Sequence, residues 1–310
     1  MKDKWNRNIT NTLRGVAIIL VIIQHLGGQR FGFTYLTPCG GIGVAIFLIL
    51  SGYGVNESFK VNGLKSFWKK KIKRVWFPYV LWISFSVLWG NDFSISKYLL
   101  DIFLIQPSYW YVSLLFVWYI FFYIISRCFF HYRLAMFLIF SLLHFFLFKN
   151  DGLRAEQSFC FLLGFLISLK KEQFNRMTYR QITPIMSCSF IIGSSALILK
   201  HVIPYFEPYY IVNFLQCLIK LSFATFLFFT ISVAPKYISA NKKLIWLGAM
   251  SLELYLVHIP ILGFVHRFVD IIPFIVWSLG FSYSFLLFNQ KCYYDWLFRF
   301  EDFISSKHSL

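Results

Sequence analysis

Two ionisable residues at the ends of the first apolar run have the types and the spacing to do chemistry. Arg14 precedes the run 15–24 and His25 follows it. A helix rises about 1.5 Å and turns about 100° per residue, so His25 returns to nearly the face of Arg14, about 16 Å further along the axis. Histidine has a near-neutral reference pKa that suits proton transfer. An ionisable group inside a membrane helix is by default a candidate functional residue. The pair therefore predicts an intramembrane site, although each residue alone is also explained as a flanking cation or an interfacial histidine.

The elements that hold these residues are predicted to be membrane helices. Of the 310 residues, 58% are hydrophobic and only 14% are charged, and the mean hydropathy is +0.63. A soluble domain would carry about 25% charged residues. Apolar segments near the length that crosses a bilayer core of about 30 Å lie around 12–28, 40–56, 75–90, 109–126, 134–148, 156–169, 182–199, 211–233, 244–264 and 271–289. The sequence predicts an all-α integral membrane protein with about ten transmembrane helices.

Basic residues predict the orientation of these helices. With the N-terminus in the cytoplasm, 23 of the 30 Lys and Arg residues fall in cytoplasmic segments, 6 fall in external segments, and Lys220 lies within a span. This asymmetry is the positive-inside pattern. We therefore expect both termini in the cytoplasm of a multi-pass protein of the cytoplasmic membrane. The asymmetry also accounts for most of the net charge of +17 without a nucleic-acid partner.

A late apolar segment carries a second set of polar side chains. Ser251, Tyr255 and His258 are spaced four and three residues apart, so they share one face of a helix. Polar groups on an apolar helix should point into the protein and form hydrogen bonds there. We favour such orienting bonds over direct catalysis for these three residues. Glu253 lies on another side of the helix, and its predicted partner is Lys220 or Arg14.

Two further stretches have compositions that suggest binding. A cytoplasmic block of seven basic residues, 60–74, ends in aromatic residues interleaved with Lys and Arg just before Pro78, which predicts a helix in the inner membrane interface. Its cations are expected to attract lipid phosphates, at about 1 kcal/mol each, or a phosphate-rich cytoplasmic ligand. The second apolar segment is rich in small residues, which predict close helix approach or room for a thin ligand.

Six features of the sequence occur in an order that resembles that of a known family. They are Arg14-x10-His25, the segment 43–52, the basic cluster before Pro78, Trp110-Tyr111, Gly164, and the segment 251–258. Together they resemble the acyltransferase-3 family of integral membrane acyltransferases, whose members mostly O-acetylate extracytoplasmic glycans. The resemblance covers roughly residues 10–290. It implies one acyltransferase domain over 1–310, and we expect no soluble or SGNH hydrolase-like domain.

The resemblance also implies a donor and a set of site residues. Acetyl-CoA is the acyl donor in the family, and the residues that correspond to Arg14 and His25 are essential. The basic motif of the family falls here on Lys71 and Arg74, where a lysine in place of arginine keeps the charge but loses bidentate phosphate recognition. Arg74, four residues before Pro78, resembles the fucose 4-O-acetylase-like branch of polysaccharide O-acetyltransferases. The implied supporting residues are Ser51, Trp110, Tyr111, Ser251, Tyr255 and His258.

These features together predict how a donor would be used. A donor that enters from the cytoplasm would place its phosphates near the basic cluster and Arg14, and its pantetheine arm would reach His25. There a neutral imidazole acts either as general base toward a sugar hydroxyl or as transient acetyl carrier. A direct role of Arg14 at the reacting carbonyl would require a break in the helix at Gly15.

The expected partners are acetyl-CoA, membrane lipids and a glycan acceptor of capsule, exopolysaccharide or O-antigen type, at the outer side or lipid-linked. The six Cys have no CxxC spacing and indicate no metal site. Homo-oligomerisation is left open. The alternative function is a transporter or flippase for lipid-linked saccharides, which would show inverted repeats. No obvious second copy of the spacing of Arg14 and His25 occurs in the sequence.

Overall fold

The computed structural model describes residues 5–89, 94–202, 209–234 and 236–307. Helices occupy most of these residues, and no β-strand occurs among them, in agreement with the predicted all-α class. Eight helical stretches in these ranges are long and apolar enough to cross a membrane, and a bent pair of helices passes the same test only when its two helices are taken together as a broken span rather than a re-entrant loop. The eight are Arg7–Arg30, Thr34–Asn62, Trp110–Cys128, Phe130–Leu147, Gly152–Leu169, Tyr179–Val202, Tyr210–Val233 and Phe268–Cys292, and the pair is Tyr237–Ala249 with Ser251–Leu262, bent by 59°.

The predicted segment 75–90 contains a shorter helix, α4, which spans Phe77–Trp89 and has 13 residues. It continues without interruption from α3, Phe67–Lys71, and the π turn Ile72–Trp76, so helical backbone runs over 67–89. Residues 90–93, which follow α4, lie outside the described ranges. The total of ten spans and the cytoplasmic placement of both termini therefore remain predictions.

The chain divides into two compact units, residues 1–65 with 114–251 and residues 66–113 with 252–310. The first unit contains α1 Arg7–Ile23, α2 Thr37–Asn62, most of α6 Trp110–Cys128, α7 Arg133–Leu147, α8 Gly152–Ala155, α9 Cys160–Leu169, α10 Lys171–Arg176, α11 Tyr179–Val202, α12 Tyr209–Val233, α13 Lys236–Ser239 and α14 Lys242–Ala249. The second contains α3 Phe67–Lys71, α4, α5 Ile95–Ile102, nearly all of α15 Ser251–Leu262, and α16 Ile271–Lys307. Two π-helical turns, Gln24–Arg30 and Ile72–Trp76, follow α1 and α3.

In the first unit, α1 and α14 pack backbone against backbone. A methyl group on Gly15 would lie 3.0 Å from the carbonyl carbon of Leu244, and one on Gly248 would lie 2.7 Å from the carbonyl carbon of Asn11. Both distances are shorter than normal carbon contacts, so each position requires glycine. This close approach fixes which face of α1, beside Arg14, packs against α14.

The helices α2 and α9 approach each other in the same way. A methyl group on Gly164 would lie 2.7 Å from the carbonyl carbon of Ile49, and one on Gly52 would lie 3.1 Å from that of Phe161. Trp118 of α6 stacks on Phe161, with ring centroids 5.2 Å apart. Small residues of the second apolar segment therefore serve close helix approach, one of their two predicted roles.

In the second unit, the buried carboxylate of Asp101 orders the connection between α5 and α6. It accepts hydrogen bonds from the hydroxyl of Tyr79 on α4, from the backbone N–H of Ser108 at 3.0 Å and from the Ser108 hydroxyl at 2.5 Å. The next residue, Tyr109, accepts a hydrogen bond from the Trp82 indole at 2.9 Å. This network fixes the chain just before Trp110.

Candidate functional site

His25 lies on a π-helical turn at the end of α1. The helix is capped by the side chain of Asn6, which accepts hydrogen bonds from two N–H groups of the first turn, and it is continuous to Ile23. Residues Gln24–Arg30 then form the π turn. Such turns inside or at the ends of α-helices are frequent at functional sites. His25 is therefore presented on a wider turn than the regular α-helix that the sequence predicts.

Gln29 defines which nitrogen of His25 carries the hydrogen. The imidazole Nδ1 lies 2.7 Å from Oε1 of Gln29. An amide oxygen only accepts hydrogen bonds, so Nδ1 donates and Nε2 is the basic nitrogen of this tautomer. Both predicted roles of His25 need a basic Nε2. Sequence reasoning missed Gln29, although its position four residues after His25 indicates a neighbour on the same helical face.

Arg14 lies on α1 one residue before its contact with α14. Its guanidinium Nη1 donates a hydrogen bond to Oδ1 of the buried Asn11, at 3.1 Å. The helix continues through Gly15 without a break, so the break required for a direct role of Arg14 at the reacting carbonyl does not occur. Arg14 therefore stays well separated from His25 along the helix axis.

A buried ion pair, which sequence reasoning missed, lies near the start of α2. The Lys220 ammonium on α12 is 3.2 Å from Oε2 of Glu156, and the side chains are only 5% and 9% exposed. Lys220 also donates a hydrogen bond to the side chain of Gln216. The sequence proposes Lys220 or Arg14 as the partner of Glu253; in the structure Lys220 pairs with Glu156, and Glu253 interacts with the side chain of Asn289 within the second unit. The available signal was that Lys220 lies near the middle of a predicted span, 211–233.

Two adjacent glycines connect this ion pair to the turn that carries His25. A methyl group on Gly40 would lie 2.7 Å from Cδ of Gln24, the residue before His25. One on Gly41 would lie 3.2 Å from Oε1 of Glu156 and would also clash with the Lys220 side chain. The structure thus brings the π turn, the first turn of α2 and the ion pair into one layered cluster.

Ser51 lies further along α2 and is half-buried. It is eleven residues beyond Gly40, or about 16 Å along the helix axis. Gly43 packs against Ala17 and Val21 of α1, so the antiparallel course of α1 and α2 puts Ser51 at about the depth of Arg14. Ser51 is therefore placed toward Arg14 rather than toward the turn of His25.

The late polar helix has the predicted inward orientation. Ser251, Tyr255 and His258 are 7%, 7% and 0% exposed. Nδ1 of His258 donates to the backbone oxygen of Leu254 at 2.9 Å. The Tyr255 ring packs edge-on against that of Tyr111, with centroids 5.5 Å apart. These contacts confirm that the three side chains are buried, and their orienting role remains a prediction.

Trp110 and Tyr111 begin α6 and are in mutual ring contact, 6.4 Å between centroids. Tyr109, the residue before them, donates its hydroxyl hydrogen to the backbone oxygen of Leu256 on α15, at 2.6 Å. Within the second unit, the predicted supporting residues Trp110, Tyr111, Tyr255 and His258 thus belong to one aromatic cluster.

Lys71 and Arg74 lie in the predicted basic segment, which forms α3 and the π turn that follows it. The Lys71 ammonium is 5.5 Å from the ring centroid of Phe67, and Arg74 is exposed. These two residues belong to the second unit, whereas Arg14 and His25 belong to the first. Their predicted joint role at one donor site remains a prediction.

Comparison with known proteins gives one result. The model of the acyltransferase 3 family, described as an acyltransferase domain, matches residues 9–288. No curated protein and no solved structure gives a significant match.

Proposed function

Because this chain belongs to the acyltransferase 3 family and is therefore a membrane acyltransferase, we propose that it moves an acetyl group from cytoplasmic acetyl-CoA to a hydroxyl of an extracytoplasmic or lipid-linked glycan. The observation that supports this proposal best is His25, whose Nδ1 is tied to Gln29 at the far end of α1 from Arg14. The number of residues between Arg74 and Pro78 supports a place in the fucose 4-O-acetylase-like branch of polysaccharide O-acetyltransferases.

The proposed donor site uses cations at the cytoplasmic side. Lys71, Arg74 and Arg14 bind the phosphates of acetyl-CoA, and charge-assisted hydrogen bonds of this kind are the strong ones. The pantetheine arm then extends past Ser51 toward His25. Membrane lipids surround the helices, and no metal ion takes part in the proposed reaction.

In the proposed reaction, Nε2 of His25 takes the proton of the sugar hydroxyl while the sugar oxygen bonds to the acetyl carbonyl carbon. The carbon–sulfur bond breaks, and CoA leaves and takes up a proton. In the second form of the mechanism, Nε2 first accepts the acetyl group from the thioester and the sugar oxygen then displaces it. Nδ1–H, held by Gln29, supports both forms equally.

The test uses the purified protein in liposomes with labelled acetyl-CoA and para-nitrophenyl fucoside as the probe acceptor. The unmodified protein should release CoA and transfer label, and His25→Ala should lower the rate by about 10²–10⁴, the contribution of general-base catalysis. Binding of acetyl-CoA and the thermal midpoint should stay unchanged on the same preparation. Unchanged turnover in His25→Ala, or loss only in proportion to unfolding, would make His25 structural and His258 the next base to test.

Two further measurements distinguish the two forms of the mechanism and identify the acceptor. Label bound to the protein without an acceptor, and absent from His25→Ala, identifies the acetyl carrier mechanism. The masses of surface glycans from cells with and without the protein identify the natural acceptor. If labelled saccharide crosses the membrane and no thioester is consumed, the protein is a transporter and the proposal is wrong.

A further inference from the structure

The Lys220–Glu156 ion pair is placed where it controls the start of α2. Glu156 precedes α9, and Lys220 lies in the middle of α12. Both side chains contact the position where Gly41 would carry its Cβ atom. Gln157, adjacent to Glu156, donates a hydrogen bond to the backbone oxygen of Gly41 at 3.0 Å. The first turn of α2 is therefore held from two sides by polar side chains.

The other side of this turn supports the residue before His25. The side chain of Gln24 lies directly over Gly40, with its Cβ atom 2.9 Å from a Cβ atom built on that glycine. Any shift of the first turn of α2 changes the surface on which Gln24 packs. Because Gln24 begins the π turn, such a shift also moves His25.

We propose that Lys220 and Glu156 are positioning residues, whose mutual attraction holds the Gly40–Gly41 turn of α2 so that the π turn presents His25 correctly. Charged groups inside a membrane are retained when they are paired and functional. Loss of one partner leaves the other charge buried and unpaired, which displaces the surrounding chain. The kinetic consequence of this inference rests on the proposed acyl transfer, whereas its structural consequence does not.

The kinetic test compares single and reversed charges. Glu156→Gln and Lys220→Gln should each lower kcat by up to about a hundredfold, the effect of displacing a reacting group by about 1 Å. The KM for acetyl-CoA should stay unchanged, because the proposed phosphate contacts lie elsewhere. The double variant Glu156→Lys with Lys220→Glu restores the attraction and should recover most of kcat. Lys97→Gln, at an exposed lysine of α5, is the matched control and should behave like the unmodified protein.

A cross-linking test measures how close the π turn lies to the first turn of α2, and it does not depend on enzymatic activity. In a chain whose six native Cys are replaced, Gln24→Cys and Gly40→Cys would place their Cβ atoms 2.9 Å apart on the unshifted backbone. A small outward shift brings them into the range of about 3.5–4.5 Å that a disulfide requires, so the pair should oxidise readily. Glu156→Gln should slow this cross-link, and the reversed pair should restore it. The control pair Gln24→Cys with Gly54→Cys should not cross-link, since Gly54 lies fourteen residues beyond Gly40, or about 21 Å along α2.

The two tests separate the possible failures. A cross-link that depends on the ion pair, in a protein that never consumes acetyl-CoA, would support the positioning role and refute the proposed function. A cross-link that forms at the same rate without the ion pair would overturn the positioning role whatever the activity. If the single variants do not fold, the reversed pair decides: cross-linking at the original rate supports the inference, and failure to fold or to cross-link refutes it.

Discussion

Replacing Gln29 by alanine removes the oxygen that lies 2.7 Å from Nδ1 of His25 and leaves the imidazole itself in place. A hydrogen bond of this kind contributes about 0.5–1.5 kcal/mol, and about 1.4 kcal/mol corresponds to a tenfold change in rate. Gln29→Ala should therefore lower kcat by about two- to tenfold, far less than the 10²–10⁴ expected for His25→Ala. Because Gln29 is exposed, we expect the thermal midpoint to stay within error.

A double-mutant cycle tests whether Gln29 acts through His25. In a His25→Ala background, Gln29→Ala should have no further effect on the residual rate, because residues that act as a unit are strongly non-additive. Gln29→Glu keeps an acceptor oxygen at the same position and should retain most of the activity. The assay is the release of CoA under saturating acetyl-CoA. An equal loss in both backgrounds, or no loss in either, would refute the assignment of Nε2 as the basic nitrogen set by Gln29.

Other perturbations probe the donor site, the helix packing and the orientation. Replacing both Lys71 and Arg74 by alanine should raise the KM for acetyl-CoA, since charge-assisted contacts contribute about 1.5–3 kcal/mol each; an unchanged KM in a folded protein would assign them to lipid binding. Gly164→Ala should lower the thermal midpoint by an amount equivalent to about 1–3 kcal/mol because it forces α2 and α9 apart. Gly54→Ala, which meets nothing within 4 Å, should not lower the midpoint, and equal effects would refute the packing argument. In a Cys-free chain, a cysteine at Asn150 should react with impermeant thiol reagents in intact cells, and protection would reverse the predicted orientation.

The sequence was sufficient for features that are local or that follow from the membrane. Apolar runs of bilayer length predict the spans because backbone N–H and C=O groups in lipid need hydrogen bonds, and a helix forms all of them within the segment. The spacing of Ser251, Tyr255 and His258 predicts one inward face because the helical repeat is fixed.

The parts that could not be predicted depend on contacts between distant segments. Glu156 and Lys220 are 64 residues apart in the sequence, and nothing in either segment indicates that the two charges meet. The sequence also offers Lys220 as a partner of Glu253, and chemistry alone does not choose between the two carboxylates because helix order within the bundle is a tertiary property. The π turn at His25 was also missed, since an apolar run does not distinguish an α-helical from a π-helical end.

The contact between α1 and the segment around α14 has a consequence for how the protein is made. The hydroxyl of Thr12 donates to the backbone oxygen of Ser239 at 3.0 Å, across 227 residues of sequence. At a synthesis rate of about 5–20 residues per second, roughly 10–50 s separate the emergence of these two residues from the ribosome. During that interval α1 can pair with α2, but the face that carries Gly15 has no protein neighbour from α14. The packing of α1 is therefore completed only long after α1 itself is synthesised, and a chain released before α14 would expose this glycine face to lipid.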